Sequence, residues 1–466
     1  METRPNGAEA PVQPTSAGRP ALRLSPRALG LVQTAVLARV ALGMAWSEAW
    51  GRLGDLFVGS GQREARREAR RVRQLERVAA ALGRLKGAFA KAGQFAALRY
   101  DVLPPQVRRR LAELQDRVPP LPARQIRAVV ERELGRPLEA LFARFDPEPV
   151  GAASIAQVHR ATLSDGREVA VKVQYPWLEA SLAADLFLAR LLVGLWTRRQ
   201  GSGGPVDRRR LFDEFASGLR EELDFVREGE VAREIAVNLA DEPQIVVPAV
   251  HPELSTRRVL TLDYHRGIRI TDRAGLARAG VDPAAVLEVL ARAYARQVFV
   301  DGLFHADPHP GNLFVAEEPD AARSPRVVFV DFGLSKRLDP ELRAAMRRGI
   351  YALLQRDAAA FVAEMDAMGM VAPGRRDSVR SAVDAMFARI AGEGAPLALG
   401  PGQVLALKDE AKELLASTPG LQLPNDLLLW AKTLSYLIAL GQDMAPEVDV
   451  VRLAVPYLLR FLADKP

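Results

Sequence analysis

The sequence predicts an α+β fold of two lobes, a small mixed lobe and a large helical lobe, behind an N-terminal helical extension. Short β-branched runs between residues 147 and 174 flank Asp165-Gly166, a dipeptide typical of hairpin turns. The pattern before them, from Ser25 to about Arg144, is helical, and the chain is largely helical again beyond Pro283. A small sheet between two helical stretches therefore defines the fold class.

The elements around the hairpin are predicted in chain order. Residues 1–24 are rich in Pro, Gly, Ala and Ser and should be disordered. A helix should begin after Ser25, a good N-cap residue. After the hairpin we expect a helix over 178–199, a Gly-rich linker over 201–205 and a second long helix over 207–239.

Two further strands, over 244–247 and 258–262, precede Gly267, where the small sheet should give way to the helical half. Beyond Pro283, only one loop and one short strand should interrupt the helices. The predicted organisation is a disordered tail over 1–24, a helical extension over 25–145, a small lobe over 146–263 and a helical lobe over 264–466.

Composition and charge restrict the classes of partner. The 466 residues contain no cysteine, which excludes disulfides and thiolate metal sites. The net charge is +7, but no basic stretch is interleaved with stacking aromatic residues, so no nucleic-acid partner is expected. The arginine-rich run over 61–77 is compatible with a solvated helix held by i,i+4 ion pairs, and also with contact to anionic lipid headgroups.

No transmembrane span is evident from the sequence. The most apolar candidate, Ala28–Trp46, is interrupted by Arg39, whereas a spanning helix needs about 20 mostly apolar residues. We therefore expect a cytoplasmic protein that is peripheral at the inner face of a membrane. Residues 28–46 should either pack against the body of the protein or lie on the membrane surface.

The loop that interrupts the helical half has the spacing of a kinase catalytic loop. In His305–Asn312, Asp307 and Asn312 stand five positions apart. In that chemistry the Asp orients and deprotonates the attacking hydroxyl, and the Asn binds magnesium. The apolar strand over 327–330 then delivers Asp331 onto a Phe-Gly turn, which is how a second magnesium ligand is presented.

Lys172 lies in the middle of the apolar strand over 169–173, where a lysine is costly unless it is paired. A lysine at this place in a small sheet reaches nucleotide phosphates. Its carboxylate partner should lie on the long helix that follows, and spacing alone leaves five candidates open: Glu221, Glu222, Asp224, Glu228 and Glu230.

Simpler interpretations of these residues remain open at this point. Lys172 could be a solvated edge-strand lysine, and Asp307 and Asp331 could be ordinary turn residues. His305 and His309 could bind zinc together with Asp307. The zinc hypothesis is disfavoured because it leaves Lys172 and Asp331 without a role.

A glycine-rich loop, which lets backbone amides approach phosphates, is missing. The segment over 149–158 contains one glycine where three are usual, and its centre is Ala152–Gln157. We therefore expect a stiffer loop than in ordinary protein kinases.

Three motifs together resemble the UbiB/ADCK (AarF-type) atypical kinase family. They are an alanine-rich loop at Ala152–His159, a KxGQ signature at Lys91–Gln94 and an ExD motif at Glu222–Phe225. The similarity runs over about 86–440. The resemblance implies a protein-kinase-like bilobal fold, ATP (or ADP) and Mg2+ as cofactors, and a role in ubiquinone and isoprenoid-lipid metabolism at membranes.

The resemblance also implies roles for individual residues. Lys172 would contact the phosphates and pair with Glu228, Asp307 would be the catalytic-loop Asp, and Asn312 and Asp331 would be the magnesium ligands. Gly151 stands where the family has alanine and should loosen the loop. The residues implied to bind or cover the nucleotide are Gly151, Ala152, Ala153, Ser154, Lys172, Lys91, Gln94, Glu222 and Asp224, with Lys91 near the last two.

Three functions follow as hypotheses. The first is an ATP- and magnesium-dependent kinase or ATPase that acts on an isoprenoid quinone precursor or is regulated by an anionic lipid surface. The second is a nucleotide-gated lipid-binding scaffold with vestigial catalysis. The third is a small-molecule phosphotransferase, which is disfavoured because nothing in it requires Lys91–Gln94.

Overall fold

The computed structural model describes residues 120–178, 208–317, 324–390, 418 and 420–463, with isolated positions between 39 and 73 and between 182 and 190. The predictions for the tail over 1–24, the helix start at Ser25, Lys91–Gln94 and the linker over 201–205 lie outside these residues. The described positions between 182 and 190 are helical, in agreement with the helix predicted over 178–199.

Helices and strands of the described residues follow in chain order. The α-helices are α1 Ala123–Leu134, α2 Leu138–Leu141, α3 Arg208–Glu222, α4 Phe225–Asn238, α5 Arg273–Arg278, α6 Pro283–Ala295, α7 Pro340–Gln355, α8 Ala358–Ala367, α9 Arg376–Ile390, α10 Asn425–Met444 and α11 Val450–Ala463. The strands are β1 Arg144–Ala152, β2 Ala156–Thr162, β3 Glu168–Gln174, β4 Ile245–Val246, β5 Val259–Asp263, β6 Gly267–Arg269, β7 Leu303–His305, β8 Leu313–Ala316, β9 Val327–Phe329 and β10 Ser335–Arg337.

The small sheet has the strand order β1-β2-β3-β5 and is antiparallel throughout. The predicted hairpin at Asp165-Gly166 joins β2 to β3, and Gly166 takes a positive φ of 88° that only glycine adopts without strain. On one face of β3 the valines at 169, 171 and 173 are fully buried. They pack on α1, whose apolar side chains at helical spacing are Ile126, Val129 and Val130.

A second sheet has the strand order β4-β9-β8-β6. β7 and β10 pair with each other in a separate two-stranded sheet. The prediction that only one loop and one strand interrupt the helices beyond Pro283 is therefore wrong, since β7, β8 and β10 are additional. These strands are only three or four residues long, too short for a periodic signal. β4 pairs in parallel with β9, although β4 lies in the segment predicted as the small lobe.

The prediction of a single long helix over 207–239 is wrong, because the helix is interrupted between α3 and α4. Asp224 is extended (φ −107°, ψ 94°), and its carboxylate accepts hydrogen bonds from the amides of Val226 and Arg227. The buried Gln174 side chain, at the end of β3, donates to the carbonyl of Leu223 at 2.7 Å. A new helix, α4, therefore begins after Asp224 close to the end of β3, and Glu228 lies in its first turn.

The predicted transition at Gly267 falls inside β6, which pairs with β8. A β-carbon at Gly267 would lie 2.9 Å from both Phe314 Cβ and the Val315 carbonyl oxygen. Glycine is therefore required here by the close approach of two strands. None of the described helices is both long and apolar enough to cross a bilayer.

A buried histidine in β2 takes part in a hydrogen-bond network that joins the segment before α1 to the small sheet. His159 Nδ1 lies 2.8 Å from the Asp146 carbonyl oxygen and must donate to it, so Nε2 accepts from Gln157 Nε2 at 2.8 Å. The amide orientation of Gln157 is set by Leu121, whose N–H donates to Oε1 at 2.8 Å. Burial lowers the pKa of His159 below its usual 6.5, and the network is complete only with the neutral ring.

This network predicts a pH-dependent contribution to stability. Because the folded-state pKa of His159 is depressed below 6.5, its contribution is present above that ordinary value and is lost as the pH falls through the depressed pKa. His159→Gln should therefore show a smaller loss of unfolding free energy than the wild type when urea unfolding at pH 7 and pH 5 is compared. Identical losses in the two proteins would contradict the assignment.

Candidate active site

Lys172 is the centre of the site. Its Nζ lies 2.7 Å from Glu228 Oε1 and 2.8 Å from Asp331 Oδ1, and only 12% of its side chain is exposed. The ammonium also lies 5.0 Å from the centroid of the Phe225 ring. β3 therefore delivers one lysine to two carboxylates that come from α4 and from the end of β9. The partner that the resemblance implied, Glu228, is the one that α4 supplies.

The electrostatics of this cluster favour a further cation. Burial opposes the charge on Lys172, but Asp331 and Glu228 outweigh it and raise the pKa of the ammonium. Burial raises the pKa of Glu228 to about 7, against the opposing effect of Lys172. Glu228 Oε2 is buried without a hydrogen-bond partner among the described residues. The positive charge of Lys172 therefore only partly offsets the cost of burying the Glu228 carboxylate.

A third acidic side chain lies in the same place. A β-carbon on Gly333 would lie 3.4 Å from Asp331 Oδ1, 3.5 Å from Glu228 Oε2 and 3.6 Å from Glu222 Cγ. Glu222 is the last residue of α3, so the break before α4 brings both glutamates to the Asp331 turn. Asp331, Glu228 and Glu222 therefore form an acidic cluster at this turn, although these three side chains are not arranged to hold a metal ion by themselves.

Asp331 is held in a strained backbone conformation. Its φ of 61° and ψ of 76° are in the left-handed region, which costs a non-glycine residue on the order of 1–3 kcal/mol. The buried His305 ring lies against this turn, with Nε2 3.1 Å from the Asp331 carbonyl oxygen and 3.2 Å from that of Val330. Phe332, also buried, stands edge-on to the same ring. The surrounding packing therefore stabilises the conformation that presents the Asp331 carboxylate.

His305 has a structural position. Its Nδ1 lies 3.1 Å from the Tyr294 hydroxyl, and burial lowers the pKa of the ring, so the neutral form donates from Nε2 to the backbone. His309 Nδ1 accepts from the Gly311 amide at 3.1 Å. No group of three His, Cys, Asp or Glu side chains is arranged to hold a metal in the part of the chain that the structure describes. The zinc hypothesis for His305, Asp307 and His309 is therefore wrong.

The catalytic-loop pair is in contact. Asn312 Nδ2 donates to Asp307 Oδ2 at 3.0 Å and to the Asp307 carbonyl oxygen at 3.2 Å. The Asn312 side chain therefore turns its nitrogen toward Asp307, which leaves its amide oxygen as an acceptor. The backbone ties this loop to the next strand, because the Val330 amide donates to the Asn312 carbonyl at 3.0 Å. Asn312 Oδ1 and the Asp331 carboxylate, 43% exposed, are the hard oxygen ligands that magnesium prefers.

Lys432 is a site residue that sequence reasoning missed. Its Nζ lies 2.9 Å from Asp307 Oδ1, and 14% of its side chain is exposed. The two residues are 125 positions apart, and Lys432 comes from α10. In the sequence Lys432 is one polar residue in an amphipathic helix, so no local signal could have identified it.

The alanine-rich loop joins β1 to β2 and is fastened at both ends. The Ala153 amide donates to the Ala156 carbonyl at 2.8 Å, and the buried Tyr175 hydroxyl donates to the Ala153 carbonyl at 3.0 Å. Ala152 and Ala153 are exposed, whereas Ser154 is buried. Gly151 pairs with Val158 in the strand register and has no positive φ. The anchoring supports the expectation of a stiff loop and does not support a loosening effect of Gly151.

Three predicted site residues remain: Asp224, Lys91 and Gln94. Asp224 caps α4, and its Oδ2 lies 3.3 Å from Arg257 Nε, so this carboxylate is engaged away from Lys172. Lys91 and Gln94 lie outside the described residues. The structure therefore brings Lys172, Glu228 and Asp331 together, with Glu222 beside them.

The charge state of Glu228 gives a prediction. The raised pKa of its carboxyl means that the folded protein binds a proton more readily than the unfolded chain, so Glu228 adds stability as the pH falls from about 7 to about 5. Glu228→Gln should remove this gain and change the unfolding free energy at pH 7 by less than about 1 kcal/mol, because the Glu228 carboxyl is already partly neutral at that pH and Lys172 keeps its contact with Asp331.

The matched control is Glu230→Gln, which changes an exposed glutamate of the same helix. Chemical denaturation of both variants and the wild type at the two pH values is the measurement. A loss of several kcal/mol in Glu228→Gln at pH 7 would show that the ion pair is a major source of stability, contrary to the prediction.

Comparisons with known proteins agree with this geometry. A family model described as the ABC1 atypical kinase-like domain matches residues 113–365. The "Probable protein kinase UbiB" of Marinobacter nauticus is 33% identical over 390 residues, which cover 82% of this chain and 69% of that protein. The "Protein ACTIVITY OF BC1 COMPLEX KINASE 8, chloroplastic" of Arabidopsis thaliana is 32% identical over 407 residues, 81% of this chain and 53% of that protein.

A solved structure is also similar, that of Rv3197 from Mycobacterium tuberculosis in complex with erythromycin. It has a TM-score of 0.55 and 26% identity, and the match covers 82% of this chain and 95% of that chain. The matched domain contains Lys172, Glu228, Asp307, Asn312 and Asp331. The chain therefore belongs to the ABC1 atypical kinase-like family, with the bilobal α+β kinase-like fold that the UbiB/ADCK resemblance predicted.

Proposed function

We propose that this protein is an ATP- and magnesium-dependent kinase or ATPase of the UbiB type. The observation that carries the proposal is the joint placement of two groups of side chains. Lys172 lies between Glu228 and Asp331, and the Asp307–Asn312 pair is tied by its backbone to the strand that ends at Asp331. These are the positions that phosphoryl transfer needs for a phosphate-binding lysine, two metal ligands and a residue that orients the nucleophile.

Each side chain has a distinct task in this proposal. Lys172 would bind the nucleotide phosphates, and Glu228 would hold the lysine in place. Asn312 and Asp331 would hold magnesium, which when bound neutralises charge on the phosphates. Asp307 would orient the attacking hydroxyl or water. Glu228 Oε2, which has no hydrogen-bond partner among the described residues, lies near Gly333 together with Asp331 Oδ1, and this supports the metal assignment.

The short segment after Asp331 supports water or a small molecule, rather than a peptide, as the phosphoryl acceptor. It passes through a short 3-10 turn at Phe332–Leu334 and enters β10, and α7 already begins at Pro340. β10 pairs directly with β7, the strand before the catalytic loop. Little chain is left here to form a platform for a peptide substrate. We therefore favour water or a small molecule as acceptor, and propose an isoprenoid quinone precursor in view of the UbiB relatives.

An apolar helix face supports a lipid surface as partner. Leu42, Trp46, Trp50 and Leu53 lie at helical positions with spacings of four, four and three residues, so they share one face. Each is more than half exposed, and the two Trp rings are 6.0 Å apart. Exposed tryptophans beside leucines are typical of helices that lie in a membrane interface.

Catalysis is tested by magnesium-dependent ATP turnover of the purified chain, with and without vesicles that contain anionic lipid. We expect turnover by the wild type and its loss, by on the order of a hundredfold or more, in Asp307→Asn and in Asp331→Asn. Asp331→Asn should also weaken magnesium-dependent nucleotide binding, whereas Asp307→Asn should retain it. Tight nucleotide binding without turnover by the wild type would favour the scaffold hypothesis instead.

Membrane contact is tested by cosedimentation with vesicles of phosphatidylcholine and phosphatidylglycerol. Replacing Trp46 and Trp50 together by Ser should weaken vesicle binding by on the order of tenfold or more, because it removes the largest apolar area of this face. Phe187→Ser, which changes an exposed aromatic residue elsewhere, is the matched control. Equal binding by the two variants would contradict the proposed contact.

A further inference from the structure

Lys432 provides a cation at the catalytic loop from a distant helix. It lies on α10, one turn after Leu428 and Leu429, which are both buried. Its ammonium reaches Asp307 Oδ1 at 2.9 Å and lies 5.5 Å from the centroid of the Tyr436 ring. The family-matched region ends at residue 365, so this contact comes from outside the ABC1 domain.

The positive charges of the site are otherwise few. The catalytic loop over 305–312 contains no Lys or Arg. Lys172 is already bonded to two carboxylates. During transfer the charge of the terminal phosphoryl group of ATP is spread over its three equatorial oxygens, and cations that meet those oxygens supply electrostatic stabilisation and positioning, which are most of the catalysis. Among the described contacts to Asp307, Lys432 is the one that brings a positive charge.

The geometry around Asp307 places Lys432 where the reaction must occur. Asp307 Oδ1 accepts from Lys432 and Oδ2 accepts from Asn312. A nucleophile oriented by Asp307 has to lie next to the terminal phosphate that it attacks. An ammonium group has three donors, so Lys432 retains donors for a phosphate oxygen while it is bonded to Asp307.

We propose that Lys432 is a second phosphate-binding cation of the active site, which contacts the terminal phosphate of ATP and not the two phosphates of ADP. The inference rests on the proposed nucleotide-binding function and adds a residue that completes the site from α10. Lys432 thereby becomes the residue that distinguishes ATP from ADP.

A second ion pair of α10 allows the phosphate-binding role of Lys432 to be distinguished from a purely structural role in holding this helix. The same helix is held by a second ion pair, Lys336 Nζ to Asp426 Oδ1 at 2.9 Å, and by apolar packing of Leu427 and Leu437 in two core clusters. Lys336 and Lys432 are both partly buried and both join α10 to the catalytic half. Lys336 does not contact Asp307, so it provides a matched control.

The experiment is calorimetric titration of the purified full chain with ATP and with ADP, each in the presence of magnesium. Lys432→Met should raise the Kd for ATP by about tenfold to a hundredfold, the loss of one charge-assisted hydrogen bond, and leave the Kd for ADP within about twofold. Lys432→Gln, which keeps a donor for Asp307 but lacks the charge, should behave in the same way. Lys432→Arg should retain the preference, and Lys336→Met should leave both affinities unchanged.

The outcomes are distinct. A selective loss of ATP affinity in the Met or the Gln variant supports the inference, and either variant suffices if the other does not fold. Unchanged affinities, or equal weakening of ATP and ADP, overturn it, because equal weakening indicates a structural role for Lys432. A wild type that binds neither nucleotide overturns the proposed function and the inference together, whereas wild-type binding with no effect of Lys432 overturns the inference alone.

Discussion

The interaction on which the site depends is the contact of one buried ammonium with two carboxylates. Lys172 joins β3 of the small sheet to α4 and to the turn after β9, so three segments from both halves of the chain converge on its Nζ. Buried ion pairs of this kind add little net stability, because desolvation offsets most of the attraction. Glu228 also keeps a buried oxygen without a hydrogen-bond partner among the described residues, so folding stability alone explains this cluster poorly.

Packing around the second sheet makes this arrangement possible. Asp331 adopts a left-handed conformation that a free chain would avoid, and the buried His305 and Phe332 rings support it. Backbone hydrogen bonds from Val330 to Asn312 and from Ala306 to Leu334 tie the catalytic loop to the same turn. Asp307, Asn312 and Asp331 are therefore positioned by one hydrogen-bonded unit rather than by separate loops.

The site extends beyond the family domain. The ABC1 match covers Lys172, the loop over 305–312 and Asp331, whereas α10 adds Lys432 from the C-terminal part of the chain. α10 and α11 pack on α6 and on the π-helical turn Arg296–Asp301 that precedes the catalytic loop. The C-terminal helices thus pack against the elements that precede the loop over 305–312, and Lys432 of α10 contacts the Asp307 carboxylate in that loop.

The sequence by itself determined the features that depend on neighbouring residues. The hairpin at Asp165-Gly166, the valine strand around Lys172 and the spacing of Asp307, Asn312 and Asp331 are local patterns, so they could be predicted without knowledge of the fold. Spacing left five acidic partners open for Lys172, of which the family resemblance implied Glu228, and the tertiary structure brings Glu228 to the lysine. Only the tertiary structure decided that α3 and α4 separate at Asp224 and that Lys432 reaches Asp307. These contacts join segments as far as 125 residues apart, and their partners are selected by the packing of helices and sheets, which leaves no periodic signal in the local sequence.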